Sequence, residues 1–335
     1  MKTVELGRTG TAVSQLALGC MIMGTTTPEA EAFAMLDRYV EAGGSFLDTA
    51  DCYAWWNARG SLGGHSEELL GRWLSRRPRD GIFLATKGSG MVPDQTGVWR
   101  DGVVDWSSVR FAGAGAATLR SAIDASLRRL GTDYVDLYYV HVDDLATPLE
   151  ETLEALAGIV AAGKARNIGW SNVSTARLCR IRELCAANGW PLPVAIQQQH
   201  TYLRPRPGVA KTSIVDDAQL GYLREHPDQT LVAYSPILKG SYDPAKRTGH
   251  PMMADYEGPG TAERLSVLDE VAAEVGASGN EVVLAWLLRQ QSPAVVPLVG
   301  PRTLDQLDTA LAALAITLTD EQATRLDRAG APEVA

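Results

Sequence analysis

The chain has 335 residues, room for one large domain or two ordinary ones, with 45% apolar and 21% charged residues, the composition of an ordinary globular protein. A net charge of −9 argues against sequence-independent binding to phosphate backbones. No apolar run approaches the roughly 18 residues that a membrane span needs, so neither nucleic acid nor membrane is an expected partner.

In chain order, the polar start MKTVELGRTG lacks the pattern of a secretion signal. VELGRTGTAV reads as a small hairpin turning at Arg8-Thr9-Gly10. Eight short apolar runs follow: SQLALGC, SFLDTA, GIFLATK, YVDLYYVH, ARNIGWSN, VAIQQQH, TLVAYSP and AVVPLVG. Helical periodicity lies between them. Leu119, Ile123, Leu127 and Leu130 share a face, as do Leu149, Leu153, Leu156 and Val160, and later Leu304, Leu307, Leu311 and Leu314. Thr147-Pro148-Leu149-Glu150 has the form of a capping box with proline at the first helical position, and Thr319-Asp320-Glu321-Gln322 is a second box. Gly43, Gly131, Gly163, Gly189 and Gly276 fall just past helical patterns, where a left-handed cap is wanted.

Strand alternating with helix implies parallel pairing through right-handed crossovers. Eight such units predict an α/β fold, a closed (β/α)₈ TIM barrel of about 250 residues before insertions. Residues 1–335 are expected to form a single domain, with the hairpin in front and a helical extension at the C-terminus. An open doubly wound sheet would want a glycine fingerprint after its first strand. The nearest match, Gly113-Ala114-Gly115-Ala116-Ala117-Thr118, lacks the third glycine and follows no strand. Gly158 to Lys164 imitates a P-loop, but Ala165 stands where a hydroxyl is needed and the stretch closes a helix. Loops at 54–64, 88–114, 201–213 and 238–260 are long enough to expect function or mobility. The four cysteines, at 20, 52, 179 and 185, show no metal-ligand spacing, so a reduced cytoplasmic setting without metal is expected. Asn172-Val173-Ser174 matches a glycosylation sequon and is read as chance.

A barrel of this kind keeps its chemistry at the C-terminal strand ends. Asp48, with Asp51 and Tyr53 just beyond it, ends the second run, Lys87 the third and His141 the fourth. Ser171 and Asn172 end the fifth, Gln197 to His200 the sixth, and Tyr234 and Ser235 the seventh. A lone aspartate or lysine there is more often a cap or a solvated tip; four chemistry-bearing groups on three successive ends are harder to dismiss. His65, His226 and His250 have no such company and read as surface or loop residues. A Lys87 ammonium beside Tyr53 is expected to lower the phenol's pKa, Asp48 to aim the lysine, and His141 to donate to a substrate oxygen. This is apparatus for protonating an oxyanion formed from a carbonyl.

FLDTADCY, SEELLGRWL, LATK, DYVDLYYVHVDD, GKARNIGWSN and VAYSP together resemble the aldo-keto reductase family over nearly the whole chain, from LGRTGTAVSQLALGC to LTDEQATRL. The resemblance implies a catalytic tetrad of Asp48, Tyr53, Lys87 and His141, with Tyr53 as general acid/base. It implies NADPH or NADP⁺ as cofactor, favoured over NADH, bound without a Rossmann domain. Ser171, Asn172 and Gln197 would hold the carboxamide, Tyr234 would stack on the nicotinamide ring, Ser235, Pro236 and Gly240 would cross the pyrophosphate, and Cys20 and Met21 would also bind the cofactor. Gly300, Arg302 and Gln306 would lie near the 2′-phosphate and adenine. Thr309 and Ala310 stand where the family usually has Glu-Asn, and His200 where it usually has tyrosine. Trp55 and Trp56, in an insertion after Tyr53, are expected either as substrate wall or as packing, with Trp99 and Trp106 completing the pocket. Cys52 is expected to be an inert buried thiol. The substrate implied is a small-molecule carbonyl compound, reduced to its alcohol. Three alternatives stand beside this: a cofactor-sensing module resembling potassium-channel β subunits, a Schiff-base aldolase on Lys87, and a metal hydrolase on Asp51, His141 and Asp144.

Overall fold

Strands covered on both faces read as unbroken apolar runs, and the eight runs behave so. In the computed structural model, which describes residues 1–331, they form β1 (Ala17–Gly19), β2 (Phe46–Asp48), β3 (Phe83–Gly88), β4 (Val135–Val140), β5 (Ala165–Ser171), β6 (Ala195–Gln199), β7 (Thr230–Tyr234) and β8 (Val295–Val299). All pair in parallel and close into a barrel in sequence order; β8 meets β1 with Leu298 opposite Ala17, and β5 meets β6 with Gly169 opposite Ala195. Every residue of β3 and β4 is buried. The expected (β/α)₈ barrel is therefore the fold found. Most strands stop a residue or two short of the end of their run, where the chain turns at the rim, whereas β3 continues through Lys87 to Gly88.

The crossovers are helical. They are α1 (Glu29–Glu41), α2 (His65–Leu74), α3 (Ala116–Leu130), α4 (Leu149–Ala161), α5 (Thr175–Asn188) and α6 (Asp217–Glu225), then the pair α7 (Thr261–Val275) and α8 (Gly279–Leu288) between β7 and β8. After β8 come α9 (Leu304–Ala312) and α10 (Asp320–Arg328), the C-terminal extension. The predicted faces pack as expected: Leu119, Ile123, Leu127 and Leu130 are all buried, and so are Leu149, Leu153 and Leu156, with Val160 half-buried against them. The N-terminal hairpin pairs Thr3–Glu5 with Ala12–Ser14. Its Leu6 and Val13 join Phe46, Phe83, Leu137 and Val296 in the cluster that fills the barrel, so the hairpin closes the end away from the strand C-termini. A larger cluster lies between barrel and helices, and a smaller one, built on Cys52, Tyr53, Trp55, Val92, Val98 and Val109, sits on the rim.

Two cap expectations divide. Thr319 and Gln322 form their reciprocal box at α10. The box at Thr147 does not form: Pro148 is itself the cap residue, and the Thr147 hydroxyl donates to Asp144 Oδ2 at 2.7 Å. Asp144 wins that hydroxyl because it gathers a whole turn, accepting also from Ala114 N and Ala146 N. A box that sequence reading missed, Ser278 with Glu281, starts α8. Gly131, Gly189 and Gly276 cap their helices in the left-handed conformation. At the false fingerprint, amides at the start of α3 and just before it are taken by side chains: Ala114 N donates to Asp144 and Ala116 N, the first of the helix, to Glu151. No single helix among the described residues is long and apolar enough to cross a membrane.

Candidate active site

The turn after β2 builds the site. Past Asp48 the chain stays paired to β3, with Thr49 N donating to Ala85 O and Asp51 N to Lys87 O. It then folds back sharply: Tyr53 N donates to Ala50 O and Trp55 N to Cys52 O, with Ala54 left-handed at φ 71°. The fold-back lays the Tyr53 hydroxyl over Lys87. Lys87 Nζ, fully buried, donates to Tyr53 Oη at 2.7 Å, to Thr49 O at 2.8 Å and to Asp48 Oδ1. Gln197 Nε2, from β6, donates to the second Asp48 oxygen at 2.7 Å. Asp48 is thus saturated from two sides. Burial pushes its carboxyl up while Lys87 and Gln197 pull against that.

His141 follows β4, its amide donating to Gly88 O. Its ring meets Tyr53 edge-on, centroids 5.5 Å apart. Burial, with Lys87 adding to it, holds the imidazole down to about 3, so the ring is neutral. Asn172, left-handed at φ 55°, donates from Nδ2 to His141 O at 2.7 Å and accepts from Tyr234 Oη at 2.9 Å, linking the ends of β4, β5 and β7. The structure therefore brings Asp48, Tyr53, Lys87 and His141 together on one rim.

One electrostatic expectation is reversed. The Tyr53 phenol lies well above its ordinary value: burial is the largest cause, followed by Asp48 and other acidic neighbours. Removing the hydroxyl from water outweighs the adjoining cation, so Tyr53 carries its proton. Lys87 is no free nucleophile either, since its ammonium hydrogens point at Asp48, Thr49 and Tyr53; the aldolase reading loses its amine. The hydrolase grouping also fails, because Asp144 is committed to its own turn. Asp51 is a different matter. It is 1% exposed, no hydrogen bond of ordinary geometry reaches either carboxyl oxygen although the Cys52 amide and thiol lie toward it, and burial and then Glu67 push it up to about 8.

A cavity of about 1280 Å³ runs from this rim across the strand ends to α9. Met21, Ser171, Asn172 and Gln197 line it beside the tetrad, and Tyr234, Ser235, Pro236 and Gly240 line its middle. Gly300, Arg302 and Gln306 line its far end, together with Thr309 and Ala310. Gln306 Oε1 there accepts from Arg302 N at 2.8 Å. Cys20 is a correction. Its side chain is fully buried, with Sγ toward Leu18 O at 3.7 Å, and it is not among the lining residues because it turns into the packing behind the strand.

The tryptophans divide. Trp55, 1% exposed, packs against Trp99 and Trp106 with centroids at 6.5 and 5.6 Å, yet lends part of its surface to the cavity; half-buried Trp56 and exposed Trp106 line it too. Trp99 stands behind Trp55, its indole donating to Gln95, and is not a lining residue. Among the histidines read as surface, His250 lines the cavity, its Nδ1 accepting from Met252 N. Half-buried His200 sits against Trp286 and is held down to about 4 by burial. Sequence reasoning missed Ile22, Phe111, Lys239 and Asn280 as lining residues. Only Asn280 had a local signal, the helix start announced by Ser278 and Glu281.

A profile of the Aldo/keto reductase family matches residues 15–331. The chain is 32% identical over 325 residues to norsolorinic acid reductase stcV of Emericella nidulans, covering 93% of this chain and 77% of that protein. It is 30% identical over 334 residues to the uncharacterized oxidoreductase YrpG of Bacillus subtilis, covering 96% and 93%. Among solved structures, the thermostable aldo-keto reductase Tm1743 with the inhibitor epalrestat superposes at a TM-score of 0.71 with 28% identity, covering 98% of this chain and 99% of that one.

Proposed function

This chain belongs to the aldo/keto reductase family of oxidoreductases, and from that premise we propose that it is an NADPH-dependent carbonyl reductase with Tyr53 as its proton donor. The observation that carries the reading is the buried chain Asp48–Lys87–Tyr53, whose Tyr53 lines a cavity of about 1280 Å³.

The residues present suit the cofactor. Lys239 and Arg302 line the cavity without a carboxylate partner among the described residues, as phosphate groups would require. Asn280 Oδ1 is buried there without a hydrogen-bond donor. A Cβ at Gly240 would meet nothing within 4 Å, and one at Gly300 only Gly19 O at 4.0 Å, so the backbone at both lies open to a close approach. Ser171 and Gln197 would hold the carboxamide, Tyr234 the ring face, Ser235, Pro236 and Gly240 the pyrophosphate, and Arg302 a 2′-phosphate, for which a guanidinium is well suited. Bound there, the reduced nicotinamide supplies a hydride to the substrate's carbonyl carbon.

The protein's own part is proton transfer and orientation. Tyr53, kept protonated by burial, gives its proton to the substrate oxygen. Lys87 Nζ, 2.7 Å away, stabilises the phenolate left behind, and Asp48 holds the lysine in place. His141, neutral, can donate one ring N–H to the carbonyl and orient it. A rim proton donor of this kind is worth about 10²–10⁴-fold. The regulatory-module alternative is not favoured: the relatives above are named as a reductase and an oxidoreductase. The test is NADPH oxidation over a panel of aldehydes, ketones and keto-sugars, run beside Tyr53→Phe. Wild type should turn over at least one carbonyl class, and the variant should lose about 10²–10⁴-fold in kcat with NADPH binding intact. A Tyr53→Phe enzyme as fast as wild type would end the assignment.

A further inference from the structure

Beside the tetrad, three donors of different chemistry converge, and the proposed reaction uses only one of them. We propose that Asp51, Cys52 and His141 form a binding site for a soft divalent cation of the zinc type, entered from the cavity. One carboxylate oxygen, the Cys52 sulfur and one His141 nitrogen lie within 4.8 Å of one another. Cys52 Sγ and His141 Nδ1 are 3.4 Å apart. A tetrahedral zinc, with Zn–S at ~2.3 Å and Zn–N at ~2.0–2.1 Å, separates two such ligands by roughly 3.5 Å. The pair therefore already stands at ligand spacing.

Asp51 supplies the independent observation. Its carboxyl is buried with no well-formed hydrogen bond to either oxygen, only the neighbouring Cys52 amide and thiol approaching it, and a coordinated cation would complete that shell. Of the charges facing it, Glu67 on α2 favours a cation and Arg129 on α3 opposes it, the arginine being tied to Glu67 at 2.7 Å. Lys87 on β3 also faces Cys52 and His141, but its ammonium is bound to Asp48. Gly90 shapes the cradle: a Cβ there would stand 2.7 Å from His141 Nδ1 and 3.1 Å from Cys52 Sγ. The bare Cα keeps space open beside both donors. Gly90, Cys52 and His141 all line the cavity, which provides the entry route. Thiolate, imidazole and carboxylate together suit zinc-class ions, not the all-oxygen preference of magnesium or calcium. Binding forms the metal–sulfur and metal–oxygen bonds as the Cys52 S–H and the Asp51 O–H break and both protons leave to solvent, with no change of oxidation state.

The test reads binding, so its outcome is separable from that of the reductase assignment. Chelator-stripped protein is titrated with Co²⁺, followed by thiolate-to-cobalt absorption in the near ultraviolet, with Zn²⁺ as competitor in calorimetry. Wild type should take up one equivalent per chain with a band that Zn²⁺ abolishes. Cys52→Ala and Gly90→Ala should each lose about 100-fold or more in affinity, while Cys179→Ala, which removes the exposed cysteine, should bind as wild type. Should Cys52→Ala fail to fold by circular dichroism, Cys52→Ser reads the same loss. No uptake by wild type, or a cobalt band that survives in the Cys52 variants, overturns the site.

Discussion

Tyr53 is 8% exposed and Lys87 fully buried, so each ionisable group at this rim is set against a poorly solvated background. A tyrosine next to a lysine in the folded rim suggests an acidified phenol when only the neighbouring charge is considered. Burial reverses the direction, and burial depends on Val92, Val98 and Val109 arriving from a later loop of the chain. The same effect on histidine has a measurable consequence for stability. His141 is held down to about 3 and His200 to about 4, against about 6.5 when unfolded. Between those values the unfolded chain binds more protons than the native one, so stability rises with pH across that window. The contribution is fully present above about pH 6.5 and is lost as pH falls through about 4 and 3. Asp51, raised to about 8, works the other way over the same window, so the histidine effect is read by difference: the urea midpoint of His200→Tyr should fall less than that of wild type between about pH 7 and about pH 4.5. An equal change in the two would mean that His200 is solvated.

At the scale of the element, the insertion AWWNARGSLGGH shows how a loop becomes part of a pocket. In sequence, Trp55 and Trp56 support packing and substrate-wall readings equally, because an indole serves both. The fold packs Trp55 while part of its surface lines the cavity, and leaves Trp106, from the next long loop, 60% exposed beside it. Trp55→Ala should then cost about 3–5 kcal/mol of stability in urea melts. Trp106→Ala should stay within about 0.5 kcal/mol of wild type and raise KM for bulky substrates. Equal stability losses for the two would contradict the division of roles. The caps teach a related lesson. Thr319 and Gln322 need only each other, and their box was legible; the Thr147 box lost its hydroxyl to Asp144, which three further groups had already recruited.

At the scale of the whole molecule, the net charge of −9 still leaves two basic side chains on the cavity, Lys239 and Arg302, without a carboxylate partner among the described residues. The tetrad end of the cavity is walled by aromatic rings, whereas Arg302 stands two residues before α9. Barrel closure places β8 beside β1 and so brings Gly300 and Arg302 onto the same cavity as Met21. Charge-assisted hydrogen bonds are worth about 1.5–3 kcal/mol, so Arg302→Ala should reduce preference for NADPH over NADH by roughly 10–100-fold in Kd. If wild type binds the two cofactors equally, or the variant keeps wild-type discrimination, the phosphate end lies elsewhere.

The sequence by itself determined the alternation of strands and helices, the closure into eight units and the residues that reach the rim. Those properties follow from backbone periodicity, and a strand end projects its polar residues toward one mouth whatever surrounds it. Only the tertiary structure decided that Tyr53 keeps its proton, that Cys20 turns away from the cavity, and that Asp51 is buried without a well-formed hydrogen bond to either oxygen. Desolvation and hydrogen-bond competition are settled by groups tens to hundreds of residues apart, and no local pattern records which of them will meet.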